Sequence, residues 1–107
     1  MPDPDVVAVV RAYLRTLVEA GIRARCAVIF GSHARGTAGP DSDIDVLVVA
    51  PDFDADRYGA EPLLWRLTRR VDSRIEPVPV GEAEFRGEAN SPLVDEARRI
   101  GFVVDAA

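Results

Sequence analysis

Two features ten residues apart, Gly31-Ser32 and Asp43-Ile44-Asp45, carry most of the chemistry open to this sequence. They lie in GSHARGTAGPDSDIDVLVV, residues 31–49, between two apolar runs. On a strand, residues two apart point to the same side, so Asp43 and Asp45 project together from one face. Carboxylates placed side by side repel one another unless cations sit between them. Hard divalent ions such as Mg²⁺ prefer such oxygen ligands and share them with substrate phosphates. Two ions about 3.5–4 Å apart stabilise both the attacking and the leaving oxygen of a phosphoryl or nucleotidyl transfer.

The glycine-serine turn suits the same task. Gly31 lets the backbone approach a phosphate and turn sharply. A helical turn starting at Ser32 would aim its amides at the anion, and the Ser32 hydroxyl adds a hydrogen bond. Arg35, one turn on, is a fixed positive charge suited to a β- or γ-phosphate. The spacer lets the chain leave one strand and return on its neighbour with both features at the same end. Glu76 lies mid-strand in RIEPVPV, where a charge among apolar neighbours needs a partner. It is either a third carboxylate ligand beside Asp43 and Asp45 or one half of a Glu76–Arg74 pair, and its company favours the ligand role.

Counting excludes several other chemistries. With one cysteine, Cys26, and one histidine, His33, there is neither a disulfide framework nor a two-histidine metal site. All 13 basic residues are arginine, which removes the lysine of a phosphate-binding P-loop and any lysine nucleophile. Asp41-x-Asp43-x-Asp45 resembles the start of a calcium loop, but Val46 and Asp52 stand where that loop needs glycine and glutamate. A net charge of -5 disfavours general nucleic-acid binding. No apolar run reaches the roughly 20 residues of a membrane span, and MPDPDVV lacks the basic start of a signal peptide. A cytoplasmic protein is expected.

The elements that must position these residues follow from pattern. Asp3-Pro4 caps a helix over about 4–20 with a wide apolar face, stopped by Gly21. IRARCAVIF, residues 22–30, alternates as a strand. Residues 44–50 read as a buried central strand, apolar on both faces. Pro62 opens a second helix to about Val71. Arg74–Val80 is a third strand whose prolines, Pro77 and Pro79, leave one side without ladder donors. Ser91-Pro92 starts a helix to about Ile100, and 102–104 forms a last short strand. Asp52, Asp54 and Asp56 read as a solvated acidic loop. Cys26 and Trp65 are expected in the core, with a partner surface the alternative for Trp65. His33 is expected to be structural or exposed. The fold class is α/β (α+β), a mixed sheet of about four strands with helices mainly on one face, in a single domain over 1–107.

The motif GS-x10-D-x-D, in the form GSHARG followed by DID, resembles that of the minimal nucleotidyltransferase (MNT) proteins of the DNA polymerase β-like superfamily. The resemblance runs from about Val6 to Val104. It implies a nucleotidyltransferase fold, with Gly31 and Ser32 on the nucleotide phosphates, Asp43 and Asp45 on two Mg²⁺ ions, and ATP as substrate. Glu76 stands where the family places its third acid, often an aspartate. The resemblance further implies the antitoxin of a HEPN/MNT toxin–antitoxin pair, which adenylylates a tyrosine of a HEPN-domain partner encoded nearby. A chain this short is expected to take its acceptor from a partner, in a homo- or hetero-oligomer. A non-catalytic antitoxin acting by contact and a small-molecule nucleotidyltransferase remain alternatives.

Overall fold

The computed structural model describes residues 2–87 and 91–106; of the expected domain span, positions 1, 88–90 and 107 lie outside the described residues. The elements run α1 (Pro4–Glu19), β1 (Cys26–Phe30), α2 (Ser32–Arg35), β2 (Ile44–Val49), α3 (Asp52–Ala55), α4 (Arg57–Thr68), β3 (Ile75–Val80), α5 (Glu82–Phe85), α6 (Pro92–Ile100) and β4 (Phe102–Asp105). The strands form one mixed sheet in the order β3-β2-β1-β4. β1 runs antiparallel to β2 and β4, and β2 runs parallel to β3. None of the described helices is long and apolar enough to cross a membrane.

Helix α1 starts where the Asp3 carboxylate accepts a hydrogen bond from the Asp5 amide. It ends where the amides of Gly21 and Ile22 donate to the carbonyls of Val18 and Leu17, a pattern that satisfies the last turn. Its valines are poor helix formers, so tertiary packing must hold it. That packing is extensive: Val10, Leu14 and Leu17 join Leu64 of α4 against Ile29, Val46 and Val48 of the sheet. The two long helices thus share one face, as expected. The opposite face, with Val28, Leu47 and Val80, is covered more thinly by Val94 and Ala97 of α6 and Phe85 of α5.

Four local expectations are corrected. The first strand is shorter than 22–30: Ile22 and Ala24 pack with the α1 side, whereas Cys26 and Val28 face α6. A local bond from the Ala24 amide to the Ile22 carbonyl breaks the alternation that the residue types suggest. The helix expected to open at Pro62 begins at Arg57, because Asp56 caps it by accepting from the Gly59 amide. Pro62 then sits inside the helix, where its missing N–H leaves the Tyr58 carbonyl on an exposed face that water can satisfy. Asp52, Asp54 and Asp56 do not form a free acidic loop. Asp52 pairs with Arg23, and Asp54 accepts from the Glu82 and Ala83 amides at the start of α5. Finally, Trp65 is 41% exposed rather than core, while Cys26 is buried as expected.

Strand β3 shows why two prolines are tolerated in a sheet. The carbonyls of Arg74 and Val80 accept from the amides of Ile44 in β2 and of Ala50 just after it. Residues of that parity face β2, so Pro77 and Pro79 turn their donor-less nitrogens to the outer edge. They also blunt that edge against pairing with another chain.

The buried link between the long helices gives a stability prediction. The Tyr13 hydroxyl, fully buried, donates to the Leu64 carbonyl at 2.8 Å. Tyr13→Phe is expected to lower unfolding free energy by about 1 kcal/mol. Leu14→Ala, which opens a cavity at the same interface, costs about 2–5 kcal/mol. Urea unfolding should show lower midpoints with unchanged slopes. A Tyr13→Phe protein as stable as the wild type would show that the buried bond adds nothing.

Candidate active site

Parallel register brings the acidic residues together. Asp45 on β2 is directly beside Glu76 on β3 and opposite Phe30 on β1. By strand alternation both carboxyls rise from the sheet face that carries Leu47, Val49 and Val80, the face covered by α5 and α6. Asp43 precedes β2 and is exposed, whereas Asp45 and Glu76 are half-buried. The three form a row at the end of the sheet.

Their electrostatics are those of like charges confined together. The Asp45 carboxyl is raised above its ordinary pKa, first by burial and then by the charge of Asp43, with His33 and Arg35 opposing. Glu76 is also raised: a hydrogen bond with the Asp43 carboxyl is the largest cause, followed by burial and the charges of Asp43 and Asp45. Two carboxyls bond to each other only with a proton between them. The Glu76–Arg74 alternative fails, because Arg74 is turned to Asp72 at 2.8 Å.

The donors present, three carboxyls, are of the type a hard divalent cation prefers. Among the described residues no three His, Cys, Asp or Glu side chains are grouped so that they alone could hold a metal ion. The row instead offers oxygen donors on one side only. Mg²⁺ seldom takes an all-protein cage; it keeps water and completes its shell with substrate phosphates.

The glycine-serine turn meets this row at contact distance. Gly31 has φ +67 and ψ -146, a conformation open to glycine and strained for other residues. A β-carbon there would also overlap Oδ2 of Asp45. The motif glycine is therefore required twice, by its backbone and by the second aspartate. Ala34 and Arg35 both donate to the Gly31 carbonyl, so the Ser32 and His33 amides ahead of them have no acceptor within the turn. Those amides lie next to the carboxyl row.

Residues 10–96 match the family described as the nucleotidyltransferase domain. The chain belongs to that family. No curated protein matches it. Among solved structures, this nucleotidyltransferase domain is similar to one of a toxin–antitoxin with AMP-PNP, at 24% identity over 91% of this chain and 73% of that one, with a TM-score of 0.63. It is also similar to a variant of the toxin–antitoxin MntA-HpeT, at 21% identity over 90% of this chain and 72% of that one, with a TM-score of 0.62. At such identities the likeness establishes the nucleotidyltransferase fold.

Three features of the domain's site were not apparent in its sequence. Arg35, the expected phosphate ligand, is in an ion pair with Glu96 of α6 at 2.7 Å. Sixty-one residues separate the two, and no local pattern signals the contact. His33 is buried, and its Nε2 lies 3.5 Å from the Ser42 carbonyl, next to Asp43. Arg74 braces the spacer from the other side by donating to the Pro40 carbonyl at 3.0 Å while Asp72 grips its guanidinium. Only the last had a local clue, the Asp72–Arg74 spacing.

Two predictions follow from this geometry. Gly36 also has positive φ, but open space surrounds its α-carbon. Gly36→Ala is expected to cost about 1–2 kcal/mol, the left-handed penalty alone. Gly31→Ala should cost more, and Asp45→Ala should return the excess in a double-mutant cycle. Additive Gly31→Ala and Asp45→Ala effects would refute the close approach. The second prediction concerns pH. Bonds from Arg74 hold the Asp72 carboxyl below its ordinary pKa. A lowered acid contributes stability above its unfolded pKa of about 3.9 and loses it as pH falls through the folded value. Asp72→Asn should therefore reduce stability at neutral pH while flattening its fall below about pH 4. Equal acid slopes in both proteins would exclude the brace.

Proposed function

We propose that this domain transfers AMP from ATP–Mg²⁺ to a tyrosine hydroxyl of a HEPN-type toxin, and so acts as its antitoxin. The carboxyl row of Asp43, Asp45 and Glu76 beside the Gly31-Ser32 turn is the observation that supports this reading. The toxin–antitoxin neighbours, one of them with AMP-PNP, support the choice of nucleotide and partner.

In this reading the acceptor oxygen bonds to the α-phosphorus, and the bond from that phosphorus to the bridging oxygen of the β-phosphate breaks. Pyrophosphate leaves, and the hydroxyl proton passes to Glu76 or water. Asp43, Asp45 and Glu76 would hold Mg²⁺, which supplies charge against the developing negative oxygens. Glu76, once ionised, would be the residue placed to take the acceptor's proton. The Ser32 and His33 amides and the Ser32 hydroxyl orient the triphosphate. Arg35 must exchange Glu96 for a phosphate oxygen. Exposed ion pairs are worth about 0–1 kcal/mol, so this exchange costs little.

The test is incubation with radiolabelled ATP, Mg²⁺ and the purified product of the adjoining gene. Label is expected on that partner, with Asp43→Ala reducing transfer by roughly a hundredfold or more, as loss of a charge-stabilising group does. Equal labelling by wild type and Asp43→Ala would refute the enzyme. Neutralisation that survives Asp43→Asn with Asp45→Asn would make the protein an antitoxin by contact instead.

A further inference from the structure

Eleven of the 13 arginines of this chain fall into two groups, and the other two, Arg98 and Arg99, lie on α6. Arg23, Arg25, Arg35, Arg57, Arg74 and Arg86 all pair with acids. Arg11 and Arg15 of α1, with Arg66, Arg69 and Arg70 at the end of α4, are exposed and make no ion pair or side-chain hydrogen bond among the described residues. The three near the end of α4 also oppose its dipole. That does not account for Arg11 and Arg15, which lie mid-helix. On this face the arginines outnumber the acids, with Glu19 beside Arg15 in the groove, on a chain whose net charge is -5.

The shape of that face says which ligand. A groove runs between α1 and the end of α4, floored by Ala8, Val9, Ala12 and Val71 and flanked by Arg15, Arg70 and a single acid, Glu19. Ala8 and Ala12 stand four apart on α1, so small side chains repeat along the floor and admit another helix closely. Next along α4, Trp65 is exposed, in the aromatic-and-arginine company typical of protein interfaces. We infer that the groove between α1 and α4 is the seat of an acidic amphipathic helix of a partner protein, its apolar side on the alanine floor and its carboxylates on Arg15 and Arg70. A nucleic acid fits poorly, since the apolar floor offers nothing to a phosphate backbone and the whole chain is acidic. A second copy fits less well: the dense acids Asp43, Asp45 and Glu76 lie on the opposite face of the sheet, so the contact would be head to tail rather than the common two-fold dimer.

The inference rests on the proposed function for its probe alone, the toxin encoded by the adjoining gene. Calorimetric titration of that toxin is expected to show binding weakened roughly tenfold or more by R15E/R70E, with R15K/R70K close to wild type. Ala12→Gln, which fills the floor without changing charge, should weaken binding independently. Circular dichroism checks that each variant is folded. Asp43→Asn with Asp45→Asn should bind as wild type while transferring no AMP. A folded R15E/R70E that binds as wild type overturns the groove, and so does a wild type that binds no toxin. RNA that competes with the toxin on wild type but not on R15E/R70E overturns it as well. The two readings fail separately. Equal binding and labelling by wild type and R15E/R70E removes only the groove; binding through the arginines without labelling removes only the transferase.

Discussion

Repulsion among three carboxyls is the constraint around which the rest of the molecule is arranged. Asp43, Asp45 and Glu76 lie on two adjacent strands whose parallel register puts Asp45 directly beside Glu76. Burial and the Asp43 charge make Asp45 harder to ionise, and Asp43, burial and Asp45 do the same to Glu76. Such an arrangement is unfavourable for folding and must be held by something else. What holds it is the other face of the sheet. There α1 and α4 bury a continuous set of apolar side chains, including Leu14, Leu17 and Leu64, against β1, β2 and β3. Stability comes mainly from one face and strain is confined to one end of the other, where α5 and α6 give thinner cover.

The turn before α2 belongs to the same compromise. Gly31 leaves to Asp45 the space that any side chain would occupy, which brings backbone amides and carboxylates to adjoining positions. A phosphate and its counter-cation need that adjacency, since the amides favour the anion and the carboxylates favour the metal. The spacer between the two motifs must then keep both in place. His33 lies against the Ser42 carbonyl from below, and the Asp72–Arg74 pair holds Pro40 from the edge. The spacer is thus tied at two points close to Asp43.

The fold was largely legible because its cues are local. Alternating apolar residues in β2, caps at Asp3 and Ser91, and the paired prolines of β3 each act over a few residues, and each appears in the structure close to where it was expected. The errors arose where a long-range contact competes with a local signal. Pro62 reads as a helix start, but Asp56 supplies a cap one turn earlier. Asp54 reads as loop charge until α5, absent from the sequence reading, presents its amides. Ile22 and Ala24 alternate like strand residues, yet they pack with α1. At the site, residue types and spacing pointed to Asp43, Asp45 and Glu76, because neighbouring strands make two distant segments adjacent. Glu96 could not be found this way, since its contact with Arg35 depends on where α6 crosses the sheet.

Charge placement links these observations. Most acids outside the carboxyl row have found arginines or helix starts, including Asp52, Asp54, Asp72, Glu82, Glu84 and Glu96. The row itself has no such compensation, and the helical face opposite it has the reverse, more arginines than acids. Local pairing was therefore available to this sequence and was used widely; its absence in two places is selective. Uncompensated charge next to apolar surface is costly to the isolated protein and is relieved by a ligand of opposite sign. Magnesium nucleotide at the carboxyl row and an acidic surface at the arginine groove would each supply it, on opposite faces of one sheet. Two ligands so placed would not compete for space, and under the proposed function one surface would hold the partner while the other acts on it.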